Sequence, residues 1–496
     1  MRRDAAFSIF YMAINLGSMF APTAAIALKN MALEQDGFRI ENMEGIQFKE
    51  SMIPTVCNWC LDTENFTKMP QTASTRYEAM LDFAVSARME AEKATYNKED
   101  KAAVEAAMKE DMKQGDALET FFSTNLTRFE ARCEHKSDST MAFAKEYIGS
   151  FSKGCGYAFA LACGSLVLSF LIYFFGRKTY RQDSEETVAA TSTDKKAVKA
   201  AAPELTPAQT RQRIVALLLV FAVVIFFWMV FHQNGQTLTE FAKSCTSSVA
   251  TGFTRIGFNL WALVTIVVGV YAGFSFFQSK STKSKAISGA VFAAAIVGII
   301  LFYINTPSAV ENIDPAKYQQ FNPFYVVALT PFSMALFGWL ASRKKEPSAP
   351  RKIGYGMIVA GAAYLVMVFA SLSLVGTNGS VSPNWLISTY LLLTFAELLL
   401  SPMGISFVSK VAPPKYKGSM MGGWFAATAI GNYLVSIPMM MWGKVSVPVI
   451  WGILIVICLL SAGFIFSIMK KLEAATGDAP EVPAAEAIET VEDDAI

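Results

Sequence analysis

The sequence predicts an all-α protein that crosses a lipid bilayer about ten times, and three observations predict it. The first is composition: 53% of the 496 residues are hydrophobic and 17% are charged, with a mean hydropathy of +0.35. A soluble domain carries about 25% charged residues, and a single aqueous core cannot hide so much apolar side chain. The second is clustering, because the apolar residues come in long uncharged blocks near the ~20 residues that cross a bilayer as a helix. The third is the distribution of Lys and Arg, which are abundant in alternate connections and scarce in the others. The net charge of +2 gives no reason to expect a nucleic-acid partner.

Ten blocks have the required length: about 7–28, 154–175, 213–234, 257–278, 286–304, 322–342, 354–375, 385–409, 419–442 and 447–469. The first is too long for a signal peptide and holds Asn15 and Pro22 where a compact apolar stretch would be expected. The eighth carries the one interior charge, Glu397. Cations mark one set of connections: Arg2 and Arg3, a run from Arg177 to Arg213, Lys280 to Lys285, Arg343 to Lys352, Lys410 to Lys417, and Lys470 with Lys471. The other set is poor in them, with none in 376–384, Lys317 alone in 305–321 and Lys444 alone in 443–446. The expected orientation therefore puts both termini in the cytoplasm, with the chain in the inner or plasma membrane.

Residues 29–153 form one large loop on the outer side, and its middle, about 71–121, is rich in Ala, Glu, Lys and Met. Glu105 and Lys109 stand at helical spacing there, which suits a small helical cap; a partly ordered insertion without a role in transport fits equally well. Five of the seven cysteines fall on this side, where disulfides persist. Cys57 and Cys60 form a CxxC, read as a structural disulfide ahead of a redox pair or a metal half-site. Residues 177–212 read as a cytoplasmic linker, rich in Ala, Thr, Pro and charge. Residues 471–496 read as an acidic disordered tail.

Four stretches carry a resemblance. Phe7, Phe10, Tyr11, Ile14, Asn15, Gly17 and Ser18 follow an FxxFYxxINxGS pattern. Phe227, Trp228, Phe231, Gln233 and Gly235 follow FWxxFEQxG, with His232 in the place of Glu. Phe321, Asn322, Pro323 and Pro331 follow in order. A longer stretch then holds Phe395, Glu397, Ser401, Pro402 and Gly404, with Trp424, Phe425, Gly431 and Asn432 beyond. Together they resemble helices five, seven, eight, ten and eleven of the proton-dependent oligopeptide transporters, a family of the major facilitator superfamily. The resemblance implies a major-facilitator-type helical bundle with a substrate site near the bilayer midplane. It implies proton-coupled symport of di- and tripeptides by alternating access, with small peptides and the lipid bilayer as partners and protons as the only coupling species, without a cofactor. Block 7–28 then corresponds to helix five and 154–176 to helix six, and residues 213–470 form the C-terminal bundle, with 257–304 as an added lipid-facing hairpin. The family's ExxER motif and the Lys of its fourth helix have no counterpart. A fragment, self-association or a partner that supplies the N-terminal half are therefore expected. A non-transporting remnant or sensor, or a transporter of another small solute, is the alternative.

Glu397 is the sharpest functional candidate. A carboxylate inside a span is costly and ordinarily faces a cavity; the resemblance implies that it holds the ammonium group of a peptide. Ser401 lies one turn on and shares that face. His232 can serve proton coupling, because an unperturbed imidazole titrates near physiological pH, or it can be a neutral hydrogen-bonding group near the outer mouth. Trp228, Trp424 and Phe425 suit aromatic walls around a peptide or plain packing. Asn15, Asn322 and, more weakly, Tyr11 suit hydrogen bonds to a peptide or between helices. Gly422 and Gly423 suit close helix approach. No Walker A loop, HExxH or other His/carboxylate metal spacing appears, so the sequence points to no enzyme and no metal site.

Overall fold

Hydrocarbon offers no partner to a backbone N–H or C=O, so an uncharged run of this length is stable there as a helix. The computed structural model describes residues 2–38, 53–61, 75–91, 101–190, 205–374 and 380–477. Among them, nine helices are long and apolar enough to cross a membrane. They are α1 (Arg2–Gln35), α6 (Thr140–Ala190), α7 (Pro207–Phe231), α9 (Leu260–Gln278), α10 (Thr282–Asn305), α11 (Phe321–Ser342), α12 (Ala349–Leu372), α13 (Pro383–Val411) and α16 (Val447–Ser467). The stretch 419–442 is helical in two pieces, α14 (Lys417–Leu434) and the short α15 (Ser436–Met440), which meet at Val435.

Local sequence sets several starts. Thr206 caps α7 and exchanges hydrogen bonds with Gln209 in a capping box, with Pro207 at the first helical position. Asn259 accepts from the backbone N–H groups of Trp261 and Ala262 at the start of α9, and Ser382 accepts from that of Asn384 at the start of α13. Two-residue strands, β1 (Ala250–Thr251) and β2 (Ala309–Val310), pair antiparallel and close the base of the α9–α10 hairpin.

The bundle core is built where α12 packs against α13 and α16, α14 against α7, and α1 against α11. Two glycines permit its closest approaches. A Cβ on Gly431 would lie 2.6 Å from the Ile225 carbonyl oxygen, and one on Gly404 would lie 2.0 Å from the Trp424 ring. Gly423 likewise meets the Phe221 ring at 2.7 Å, whereas Gly422, expected to do the same, faces open space.

The outer loop has a core of its own. The helices α2 (Ile53–Leu61), α3 (Thr75–Ala91), α4 (Lys101–Lys113) and α5 (Ala117–Glu130) bury Leu81, Leu126 and Phe129 together with Phe143 of α6. Lys109 pairs with Asp82 of α3 across this unit, rather than with Glu105 along its own helix. His135 lies 2.7 Å from the Glu146 carboxylate and against the Phe38 ring, 4.3 Å between centroids. Cys57 and Cys60 sit one turn apart on α2, buried with Cys133, and the structure forms no bond between their sulfurs. Burial pushes the Cys60 thiol up to about 12 and the Cys133 thiol to about 11, and raises Cys57 too. Such thiols are poor nucleophiles, which weakens the redox reading.

Three features differ from the sequence reading. The α6 helix continues to Ala190, well into the expected linker, and at about 1.5 Å per residue its 51 residues reach about 77 Å. Residues 191–204 lie outside the described residues. Met469–Gly477 forms α17, so the first part of the expected tail is helical; 478–496 lie outside the described residues. Lys352, counted among loop cations, is 2% exposed, with its ammonium 2.5 Å from Glu346 and 4.0 Å from the Phe337 ring.

Gly431→Val is expected to push α14 off α7 and to destabilise the protein by about 1–3 kcal/mol. Thermal unfolding in detergent reads this as a lowered Tm, while Gly422→Ala leaves Tm unchanged.

Candidate functional site

The α13 helix carries Glu397 near its middle and buries it to 3% exposure. The Tyr11 hydroxyl, from α1, donates to one carboxylate oxygen. The Asn322 amide, from α11, donates to the other at 2.7 Å and also to Thr394 Oγ1 at 3.1 Å. Thr394 in turn donates to the Tyr390 carbonyl one turn back. Both oxygens of a buried carboxylate are thus met by neutral donors from two other helices. No cation among the described residues pairs with it.

Spacing along α13 extends the site. Ser401 and Gly404 follow Glu397 by four and seven residues, on one face of the helix. Ser401 is buried beside Tyr11, and its hydroxyl makes no hydrogen bond of ordinary geometry among the described residues. The Trp424 ring covers Gly404 and meets Phe221 edge to face at 6.5 Å. Asn15 lies one turn beyond Tyr11 on α1, and its amide donates to the Tyr11 carbonyl at 3.0 Å rather than reaching Glu397.

A second group forms where the end of α7 meets α14. His232 Nδ1 is hydrogen-bonded to Asn432 Oδ1, and its imidazole stacks on Trp228 at 4.7 Å between centroids. The Trp228 indole N–H is buried without a hydrogen-bond partner among the described residues. No hydrogen bond among the described residues joins His232 to the Glu397 group. Phe425 belongs to neither group: it is 60% exposed, while its neighbour Trp424 turns inward.

The structure therefore gathers Tyr11, Asn322, Glu397, Ser401 and Trp424 along one face of α13, and sets His232 and Trp228 apart. Thr394 and Asn432 were missed as partners. Thr394 was visible as a polar residue three before Glu397, on the same helical face; Asn432 was visible only as a motif position.

Residues 293–451 match the POT family (PTR2). The chain is 24% identical to dipeptide and tripeptide permease A of Serratia proteamaculans over 62% of this chain and 59% of that one. It is 37% identical to the peptide transporter YePEPT of Yersinia enterocolitica over 34% of this chain and 32% of that one. The chain spans about six tenths of the length of the first of these relatives. Among solved structures, it aligns with the peptide transporter POT in complex with sulfate at a TM-score of 0.40 and 15% identity, over 95% of this chain and 93% of that one. The POT-family match accounts for α11 to α14 directly, because residues 293–451 include all four helices.

Tyr11→Phe removes one of the donors that hold the Glu397 carboxylate and is expected to destabilise the protein by about 1–3 kcal/mol. Ser401→Ala removes a buried hydroxyl without a hydrogen bond among the described residues and is expected not to lower Tm. Thermal unfolding of both variants in detergent, side by side, checks the contrast.

Proposed function

We propose that this chain is a POT-family transporter that serves proton-coupled symport of di- and tripeptides across the inner or plasma membrane, by alternating access and with both termini cytoplasmic. The observation that carries the reading is a buried carboxylate, Glu397, held by Tyr11 and Asn322 and paired with no described cation. A carboxylate held by neutral donors alone can accept either a proton or a ligand ammonium group. An extended dipeptide presents such an ammonium at its N-terminus. The Ser401 hydroxyl and the Trp228 indole N–H are buried polar atoms that make no hydrogen bond among the described residues. A buried donor left unpaired costs about 1–3 kcal/mol, so both suit the polar backbone of a peptide. The names of the matched relatives, dipeptide and tripeptide permease and peptide transporter, support the same substrate class.

In this proposal Glu397 holds the peptide amine, Asn322 and Tyr11 orient the carboxylate, and Trp424 walls the α13 face. His232, fixed by Asn432 and Trp228, is the second proton site. A bound proton and a bound peptide then bias the molecule between outward-open and inward-open states, which requires each to bind the two states unequally.

Uptake of a labelled dipeptide into proteoliposomes, with and without an inward proton gradient, tests the reading. The wild-type chain accumulates label only with the gradient. Glu397→Gln inserts normally and loses accumulation. Accumulation by Glu397→Gln at the wild-type rate would sink the assignment.

A further inference from the structure

The α9–α10 hairpin and α11 enclose an apolar groove of about 590 Å³. That size lies within the range of about 300–1,000 Å³ that small-molecule sites occupy. On α9 its wall follows one helical stripe through Ile266, Val270, Gly273, Phe277 and Gln278. Phe292, Ile296 and Ile299 of α10 face it, and Phe332 of α11 closes it against Phe274, 4.7 Å between ring centroids. Gly273 gives the groove depth, because a Cβ there would just touch the Phe292 ring at 3.4 Å. The rim opens outward, with Phe277 at 83% and Ile296 at 44% exposure.

Two features distinguish this groove from ordinary lipid-facing surface. The first is length. From Ile266 to Gln278 the α9 stripe advances about 18 Å at about 1.5 Å per residue, close to the ~15 Å depth of one leaflet's hydrocarbon. The second is charge at one end. Gln278 is the one polar residue of the wall, and it leads directly into the turn with Lys280, Lys283 and Lys285, all exposed. Lys285 precedes Phe292 by seven residues and lies on the same stripe of α10. Arg343, Lys344 and Lys345 follow the end of α11, where the Arg343 guanidinium lies over the Trp339 ring at 4.2 Å. Residues 257–310 contain no Asp or Glu, and none of these six cations makes an ion pair among the described residues.

We propose that this groove is a binding site for one anionic phospholipid. An acyl chain lies along α9 between Ile266 and Phe277. The phosphate sits at the Gln278 end, where Lys280, Lys283 and Lys285 meet its charge. A chain-deep apolar slot with a cationic mouth complements a lipid with a negative headgroup and selects it over a zwitterionic one of the same chain length. The proposal is independent of what the protein transports.

Native mass spectrometry of the full chain in detergent tests it, with phosphatidylglycerol and phosphatidylcholine of identical chains offered in equal amount. Wild type is expected to retain one phosphatidylglycerol in clear preference. Ile296→Trp fills the slot and loses the retained lipid, whichever headgroup is offered. The triple change Lys280→Gln, Lys283→Gln, Lys285→Gln keeps the chain site and loses the headgroup preference, by on the order of tenfold or more. Lys415→Gln with Lys417→Gln, two exposed cations remote in sequence from the groove, leaves the preference intact. Equal retention of the two lipids by wild type overturns the proposal. So does an unchanged preference in the triple variant, whose substitutions are all on the surface and do not threaten folding. A dimer that Ile296→Trp abolishes would assign the groove to a second copy and overturn it too.

Discussion

The burial of Glu397 constrains the rest of the bundle. An ionisable residue at the centre of a span costs about 2.5–3.5 kcal/mol on insertion scales, so the site must return that in contacts. It does so with donors from separate helices: Tyr11 from α1 and Asn322 from α11 both reach the α13 carboxylate. Residues 386 positions apart therefore meet at one group. The packing of α1 against α11 and of α11 against α13 follows the same geometry. Without a cation partner among the described residues, the carboxylate is held in place but its charge is not cancelled. That combination suits a group that exchanges one positively charged visitor for another.

The neighbouring architecture divides by solvent. In the bundle core Trp451 donates to Ser371 at 2.8 Å and Tyr364 donates to the Val230 carbonyl at 2.6 Å. The outer unit of α2 to α5 has a second core and surface ion pairs such as Arg88 with Asp111 at 2.7 Å. Lys29 on α1 pairs with Asp314 at 2.9 Å, just before α11, so the two helices that hold Glu397 are joined there as well. The α9 helix joins the bundle core through Leu263 and Val267, while α10 exposes much of its apolar surface.

Much of this was legible in the sequence because hydrocarbon imposes a coarse rule: a long uncharged run becomes a helix. The spans and the singular position of Glu397 followed from that rule alone. The partners of Glu397 did not, since nothing local to Tyr11 says which of several helices its hydroxyl will reach. Phe425 and Trp424 show the same limit: adjacent in sequence and equally aromatic, they point outward and inward because helical rotation separates them by about 100°. The partners of His135, Glu146 and Phe38, were not legible either, because they are distant in the chain and nothing local to His135 points to them. The break at Val435 has a local cause in Pro438, which has no N–H to donate to the Leu434 carbonyl, although the apolar run continues to Trp442.

The central claim is that the Glu397 carboxylate recognises a primary ammonium group. Calorimetric binding to the reconstituted wild-type chain tests it most directly, with a dipeptide compared against the same dipeptide acetylated at its N-terminus. Acetylation removes the positive charge and leaves the side chains and the C-terminal carboxylate unaltered. The account predicts heat of binding for the free dipeptide and none for its acetylated form. Equal affinity for the two would contradict it.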